Sequence, residues 1–384
     1  MSATRQPLRH VLLLGLALAV PALARAQTAA GVDTTPPSVW RFQLSADGTW
    51  YENAYFLGQT GTDTAWSTSG RATLSHDRRF KTGTFSISGF GGTIYYPEIK
   101  DFNQPTYGGS LGLDWRAGRR TTLKLGQGYQ RSNTRYLTAL DSEGLPLPTS
   151  GIEFATSTLG FEQRLSQRWQ LGIDGSFAVR RFDNESLTGS EQLYGNARLG
   201  YQVGRDGTMY LGYGYSSAWF ETEKTRSHQV LLGGRKQAER GVGFELAGGV
   251  GYVESTGKFY PSGRAGLNAT GRRSRLALLY YRDFGQAYGY GRQVIGDLAS
   301  ATLNWTPHRK LGFNAGYNFG YRRDPNDETY TIKSGIASAG FSWTIGGGVG
   351  FGASYAWERN QTQGQPVVEG GRATASLSYG VDWR

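Results

Sequence analysis

Residues able to do chemistry are sparse in this chain. It holds four histidines and no cysteine in 384 residues. His10 lies in an apolar leader, His76 and His308 stand beside tight turns, and His228 follows a loop. No two are close in sequence, and no acidic cluster accompanies them at metal-ligand spacing, so neither metal nor other cofactor is expected. A hydrolytic site needs a nucleophile beside a base, and Ser227-His228 is the one pair placed to serve. In a strand, adjacent side chains point to opposite faces, so these two could not act together. The runs Gly212-Tyr213-Gly214 and Gly350-Phe351-Gly352 could be taken for phosphate loops, but they sit mid-strand with no helix after them. The chain is therefore not expected to be an enzyme.

The elements that would position any site point elsewhere. Arg5 and Arg9 precede an apolar run from Val11 to Val20, and Ala24-Arg25-Ala26 is a small-x-small cleavage site. That pattern marks residues 1–26 as a signal peptide. Residues 27–38 form a polar linker, too short for a plug domain or a string of periplasmic repeats. This argues against a plugged, energy-coupled transporter and against an assembly barrel. No later segment approaches the roughly 18 consecutive apolar residues of a helical membrane span, and the mean hydropathy is −0.46. Glycine (57 residues) and aromatics (13%) both exceed ordinary globular usage. The formal charge of +11 is scattered through turns and strands rather than clustered, which excludes nucleic acid as a partner.

From residue 39 onward, apolar and polar residues alternate with period two, the mark of strands with one greasy and one wet face. Eighteen such segments follow, from 40–51 to 371–383. Tight turns such as Ala117-Gly-Arg-Arg120 alternate with longer connections such as Arg131–Gly151. An even count puts both termini at the short-turn end. The expected fold is all-β: a single transmembrane antiparallel up-and-down β-barrel of about eighteen strands over residues 39–384. Trp169, Leu171, Ile173, Phe177 and Val179 should face lipid, because a one-residue slip would place Asp174 and Arg180 there instead. Segments 227–236 and 274–284 do not fix their own faces. Outward aromatics gather beside the short turns, among them Trp115, Trp169, Trp305, Trp343 and Trp383, as an interfacial girdle would.

The remaining chemistry belongs to the lumen. Its lining is expected to include Arg116, Lys124, Glu162, Arg164, Asp174, Arg180, Arg198, Glu245, Arg264 and Arg322. Basic residues outnumber acidic ones, so the bore should weakly prefer anions, unless these groups merely pair across strands. Between them lie glycines and small polar residues, which should leave the bore unblocked. Tyr194 and Tyr210 are also assigned inward, as surfaces for sugar rings. The longest connection carries Arg135, Tyr136, Asp141 and Glu143; its Tyr136–Leu140 run is apolar for a loop tip, and it is read as a constriction folding into the mouth.

The chain resembles a bacterial outer-membrane porin over residues 39–384, in strand count, alternation and closing strand. Porin-family barrels usually end on an aromatic read by the barrel assembly machinery; Leu377, Tyr379, Val381 and Trp383 reproduce that alternation, with Arg384 following. Among eighteen-stranded families it is similar to sugar-passing porins and to barrels that release exopolysaccharide. The resemblance implies an outer-membrane channel for a hydrophilic solute, foremost a carbohydrate such as a secreted polysaccharide. A general diffusion porin with weak anion preference and a non-channel anchoring or adhesion barrel are the alternatives. Implied partners are outer-membrane lipid, the assembly machinery and a periplasmic polysaccharide-export component. No strand face marks an oligomer contact.

Overall fold

The computed structural model describes residues 38–53, 64–134, 147, 149–220, 223–237, 241–287, 289–327 and 329–383. The expected signal peptide, nearly all of the linker, Arg384 and the loop residues Arg135, Tyr136, Asp141 and Glu143 lie outside them.

Eighteen strands form one closed antiparallel sheet. In chain order they are β1 (Val39–Tyr51), β2 (Ala65–Phe80), β3 (Gly83–Tyr95), β4 (Gln104–Arg116), β5 (Thr121–Asn133), β6 (Gly151–Arg164), β7 (Trp169–Phe182), β8 (Ser190–Val203) and β9 (Gly207–Trp219). They continue as β10 (Lys224–Lys236), β11 (Gly241–Val253), β12 (Lys258–Thr270), β13 (Ser274–Ala287), β14 (Arg292–His308), β15 (Leu311–Arg323), β16 (Thr331–Gly346), β17 (Val349–Thr362) and β18 (Val368–Trp383). Each pairs with its sequence neighbours, and β18 closes onto β1 through Arg41–Asp382 to Trp50–Ala373. Closure leaves no sheet edge, which lets backbone amides and carbonyls stay satisfied inside lipid. His308, expected beside a turn, is the last residue of β14.

Ladder partners share a face, so the register sorts side chains in and out. Met209, Leu211, Leu232 and Leu246 line up on the outer face, each more than half exposed (54%, 52%, 61% and 66%). Water would not tolerate so continuous an apolar surface; lipid would. Val179 shares this outward face but is 1% exposed, so it is packed rather than lipid-facing. The two segments whose faces were open are now fixed: Leu276, Leu278 and Tyr280 point out, while Leu279, Tyr281 and Leu231 point in.

Aromatic rings form two outer belts, where alternation alone had suggested one. Beside the short turns Trp169 meets Tyr201 at 5.0 Å and Trp305 stacks on Phe313 at 5.4 Å. Toward the long loops Tyr107 meets Tyr129 at 6.2 Å and Tyr252 meets Phe259 at 5.0 Å. Rings at both ends of an apolar band suit the two interfaces of a bilayer.

The dry core sits inside one mouth. At the long-loop end Tyr51, Ala65, Ile94 and Tyr96 bury one another, with Phe102 from the 96–103 connection packed on them. Leu147, Ile152 and Leu187 form a second cluster, and Ala287, Val294 and Ile332 a third; Tyr290 packs against both. The bore is thus not evenly open, contrary to what its glycines suggest. Connections fold inward at this end and bring apolar side chains with them.

The β13–β14 hairpin takes part in closing it, through Tyr290, Phe284 and Ile295. Pairing of β12 with β13 stops at Gly263–Arg282, although both strands run on. Beyond that point Phe284 and Ile295, outward by strict alternation, pack with inward-facing Val253 and with Tyr260. The hairpin tip has bent into the mouth.

Candidate functional site in the lumen

Below the constriction, inward-facing residues of β8 to β13 enclose a recess of about 340 Å³. Arg198 stands on β8 between Gly172 and Gly212, its ladder partners, so neither neighbour crowds it. Its guanidinium lies 5.1 Å from the centre of the Tyr210 ring. The Tyr210 hydroxyl donates to Glu245 at 2.8 Å, and the other Glu245 oxygen is 3.7 Å from Arg264 Nε. Tyr194, Asn196 and Tyr281 complete the wall, and Gln229 donates to Asp283 at 3.2 Å. Gly212 and Gly214 form its floor, where any larger residue would intrude.

Three of the ten expected lining residues, Arg198, Glu245 and Arg264, therefore meet in one recess. Lys124 and Glu162 pair with each other at 2.8 Å, and Asp174 faces Asn196 across the β7–β8 ladder. Arg180 and Arg322 lie near the constriction, 6% and 4% exposed. Arg180 stacks 4.9 Å above the Phe154 ring, and Arg322 donates to Ser334 at 3.3 Å. Arg116 and Arg164 end β4 and β6 at the short-turn mouth. Cross-strand pairing thus accounts for some of these charges and leaves others uncommitted.

Sequence reasoning missed Tyr281, Asp283 and Gln229. The apolar run Leu276-Ala-Leu-Leu-Tyr-Tyr281 masks alternation on β13, and only the register with β12 separates its faces. Ser227 is 3% exposed and inward-facing, while His228 points outward, with Nδ1 2.8 Å from the Tyr213 hydroxyl and Nε2 3.0 Å from Glu254. They share no site.

The recess offers what a polyhydroxylated solute needs: ring faces, amide and carboxylate acceptors, and fixed guanidinium donors. Exposed inward residues such as Asn268, Asn304 and Asn314 show that water reaches the bore below the constriction.

No protein-family model matches the chain, and no curated protein matches it in sequence. Solved structures do share its fold. OpdO of Pseudomonas aeruginosa superposes with a TM-score of 0.51 at 12% identity, over 90% of this chain and 98% of that one. OccAB4 of Acinetobacter baumannii gives 0.50 at 11% identity, over 91% and 99%. OccAB2 of the same organism gives 0.50 at 10% identity, over 90% and 98%. The chain has a porin-like eighteen-stranded barrel fold.

Proposed function

We propose that this barrel is an outer-membrane channel for a hydrophilic solute, most fittingly a carbohydrate. The observation that carries this reading is the recess between β8 and β13, where Tyr194 and Tyr210 offer ring faces beside Asn196, Gln229 and Arg198. Sugars present apolar ring faces and a rim of hydroxyls, and this wall complements both. In a bilayer the short turns would face the periplasm and the longer loops the outside. The bore is wet at the short-turn side and narrows toward the loops, a shape suited to receiving solute from the periplasm.

Release of a secreted polysaccharide is the specific form of this reading that we favour. A general diffusion porin is the second: uncommitted arginines in the lumen favour small anions as well as sugars. An anchoring role ranks last, since a wet, charged lumen serves no purpose in an anchor.

Planar-bilayer recording tests the reading. Folded protein should give stepwise conductance, and added maltoheptaose should interrupt the current from within the bore. A folded barrel that passes no current would sink every channel reading. Unaltered surface polysaccharide in a deletion strain would remove the export form alone.

A further inference from the structure

Basic residues crowd the short turns of the barrel. At the short-turn end, Asp206 is the sole acid among the described turn residues, while Arg119–Arg120, Arg272–Arg273 and Arg309–Lys310 occupy three of the turns. At the other end the loop acids are largely matched by strand arginines: Asp183 pairs with Arg131, Glu254 with Arg226, and Asp324 and Asp327 with Arg292. Lys100 is the sole basic residue of the described loops, whose acids include Glu52, Glu98, Asp183, Glu254, Asp324 and Asp327.

Four arginines extend the basic end into the bore. Arg79, Arg116, Arg164 and Arg275 each stand at, or one residue from, the short-turn end of β2, β4, β6 and β13. By register each belongs to the inner face of its strand. All four are exposed, and none makes an ion pair or side-chain hydrogen bond with a described residue. Nearby carboxylates are mostly committed: Asp77 and Asp382 hold Arg41, and Glu162 holds Lys124. Asp114, two residues from Arg116 on the same face, partly offsets it.

Unpaired like charges round one rim repel each other and destabilise the fold, so structural need does not account for them. Lipid head groups cannot be their partner either, because the side chains face the axis and not the bilayer. A folded protein docking on the turns would meet the turn arginines but not these four inside the mouth. A single small anion would engage one of them. A linear chain carrying repeated negative groups can contact several at once, and it can enter the bore.

We propose that the short-turn mouth captures a linear polyanionic saccharide, drawn from that side. This rests on the carbohydrate-channel reading above and narrows its substrate to one bearing carboxylate or similar groups.

The test uses full-length mature protein in planar bilayers, with oligogalacturonate and neutral maltoheptaose as probes added to either side. Oligogalacturonate should block from the short-turn side at roughly tenfold lower concentration than from the loop side, equivalent to about 1.4 kcal/mol. Arg79, Arg116, Arg164 and Arg275 changed together to Gln should abolish that asymmetry and leave the maltoheptaose block intact. For wild type, raising KCl from about 0.1 M to 1 M should weaken the anionic block alone, since screening at that strength reaches a few ångströms. Block that is equal from both sides, insensitive to salt, or retained in the quadruple variant overturns the proposal. So does an absent anionic block accompanied by binding of an acidic protein to the turns. Maltoheptaose block persisting through such a result leaves the carbohydrate channel standing, whereas loss of both removes the carbohydrate reading and leaves a general diffusion porin.

Discussion

Thr188 and Gly289 are joined backbone to backbone inside the long-loop mouth, the Thr188 N–H donating to the Gly289 carbonyl at 2.9 Å. They belong to connections that are not neighbours in the sheet, between β7 and β8 and between β13 and β14. The bridge holds the bent β13–β14 hairpin across the bore. Tyr290, next in sequence, packs on Leu147 and Leu187 and accepts a hydrogen bond from Asn360 Nδ2 at 3.1 Å. Gly289 and Gly291 have φ of +76° and +64°, a left-handed backbone that glycine adopts without strain.

If this hairpin is a latch, Tyr290→Ala should widen the mouth. It removes the ring shared by two apolar clusters and the hydroxyl that accepts from Asn360 Nδ2. Single-channel conductance is expected to rise, while Asn360→Ala alone, costing about 1 kcal/mol, should give a smaller rise. Unchanged conductance in both variants would show that the limiting width lies elsewhere.

Alkaline titration reports on the same contacts. Burial pushes the Tyr290 and Tyr330 hydroxyls above the ordinary phenol range, Tyr330 to about 12. Folded values above the unfolded one mean that the packing is intact below about pH 10 and is lost as pH rises through the folded values. Tyrosinate absorbance should therefore show late-titrating groups, and conductance should increase in the same window. Tyr290→Phe should remove one late phenol from the absorbance curve.

The alternation that reveals the barrel also explains what it conceals. Lipid on one side and water on the other impose period two on most strands, so the eighteen can be counted from residue types and most of their faces assigned, down to Asp174 and Arg180 facing in. The exceptions are β10 and β13. Phe284 and Ile295 break that rule because β13 leaves β12 above Arg282, and nothing local marks the departure. The latch itself joins Tyr290 to Asn360, 70 residues apart, through types that carry no pattern. The recess is intermediate: Arg198, Glu245 and Arg264 follow from face assignment, but their meeting depends on register between five strands.

Filling the recess should impair sugar binding without unfolding the barrel. A Cβ at Gly212 would meet nothing closer than 3.9 Å, so Gly212→Val is sterically tolerated and suits a strand. Its side chain would occupy the recess floor beside Arg198. Maltoheptaose block is expected to weaken severalfold while open-channel conductance changes little; an unaltered block would detach the recess from solute recognition.

The Lys124–Glu162 pair should matter little for stability. Both side chains are near half exposed, at 50% and 41%, and solvent screens such pairs to within about 1 kcal/mol. A double-mutant cycle with Lys124→Met and Glu162→Gln, read by urea unfolding from detergent, should give coupling no larger. The singles should instead move ion selectivity in opposite directions: Lys124→Met toward cations, Glu162→Gln toward anions.

Adjacent glycines on β11 separate a structural need from a permissive one. At Gly248, on the outer face, an added Cβ would meet nothing within 4 Å. At Gly249, on the inner face, it would collide with the Val230 carbonyl of β10. Backbone cannot give way there without breaking the β10–β11 ladder, so the collision falls on closure itself. Gly249→Ala should therefore lose the heat-modifiable band of a folded barrel, and Gly248→Ala should keep it. Equal folding of the two variants would mean that β10 and β11 can separate locally, and that the close approach is not required for closure.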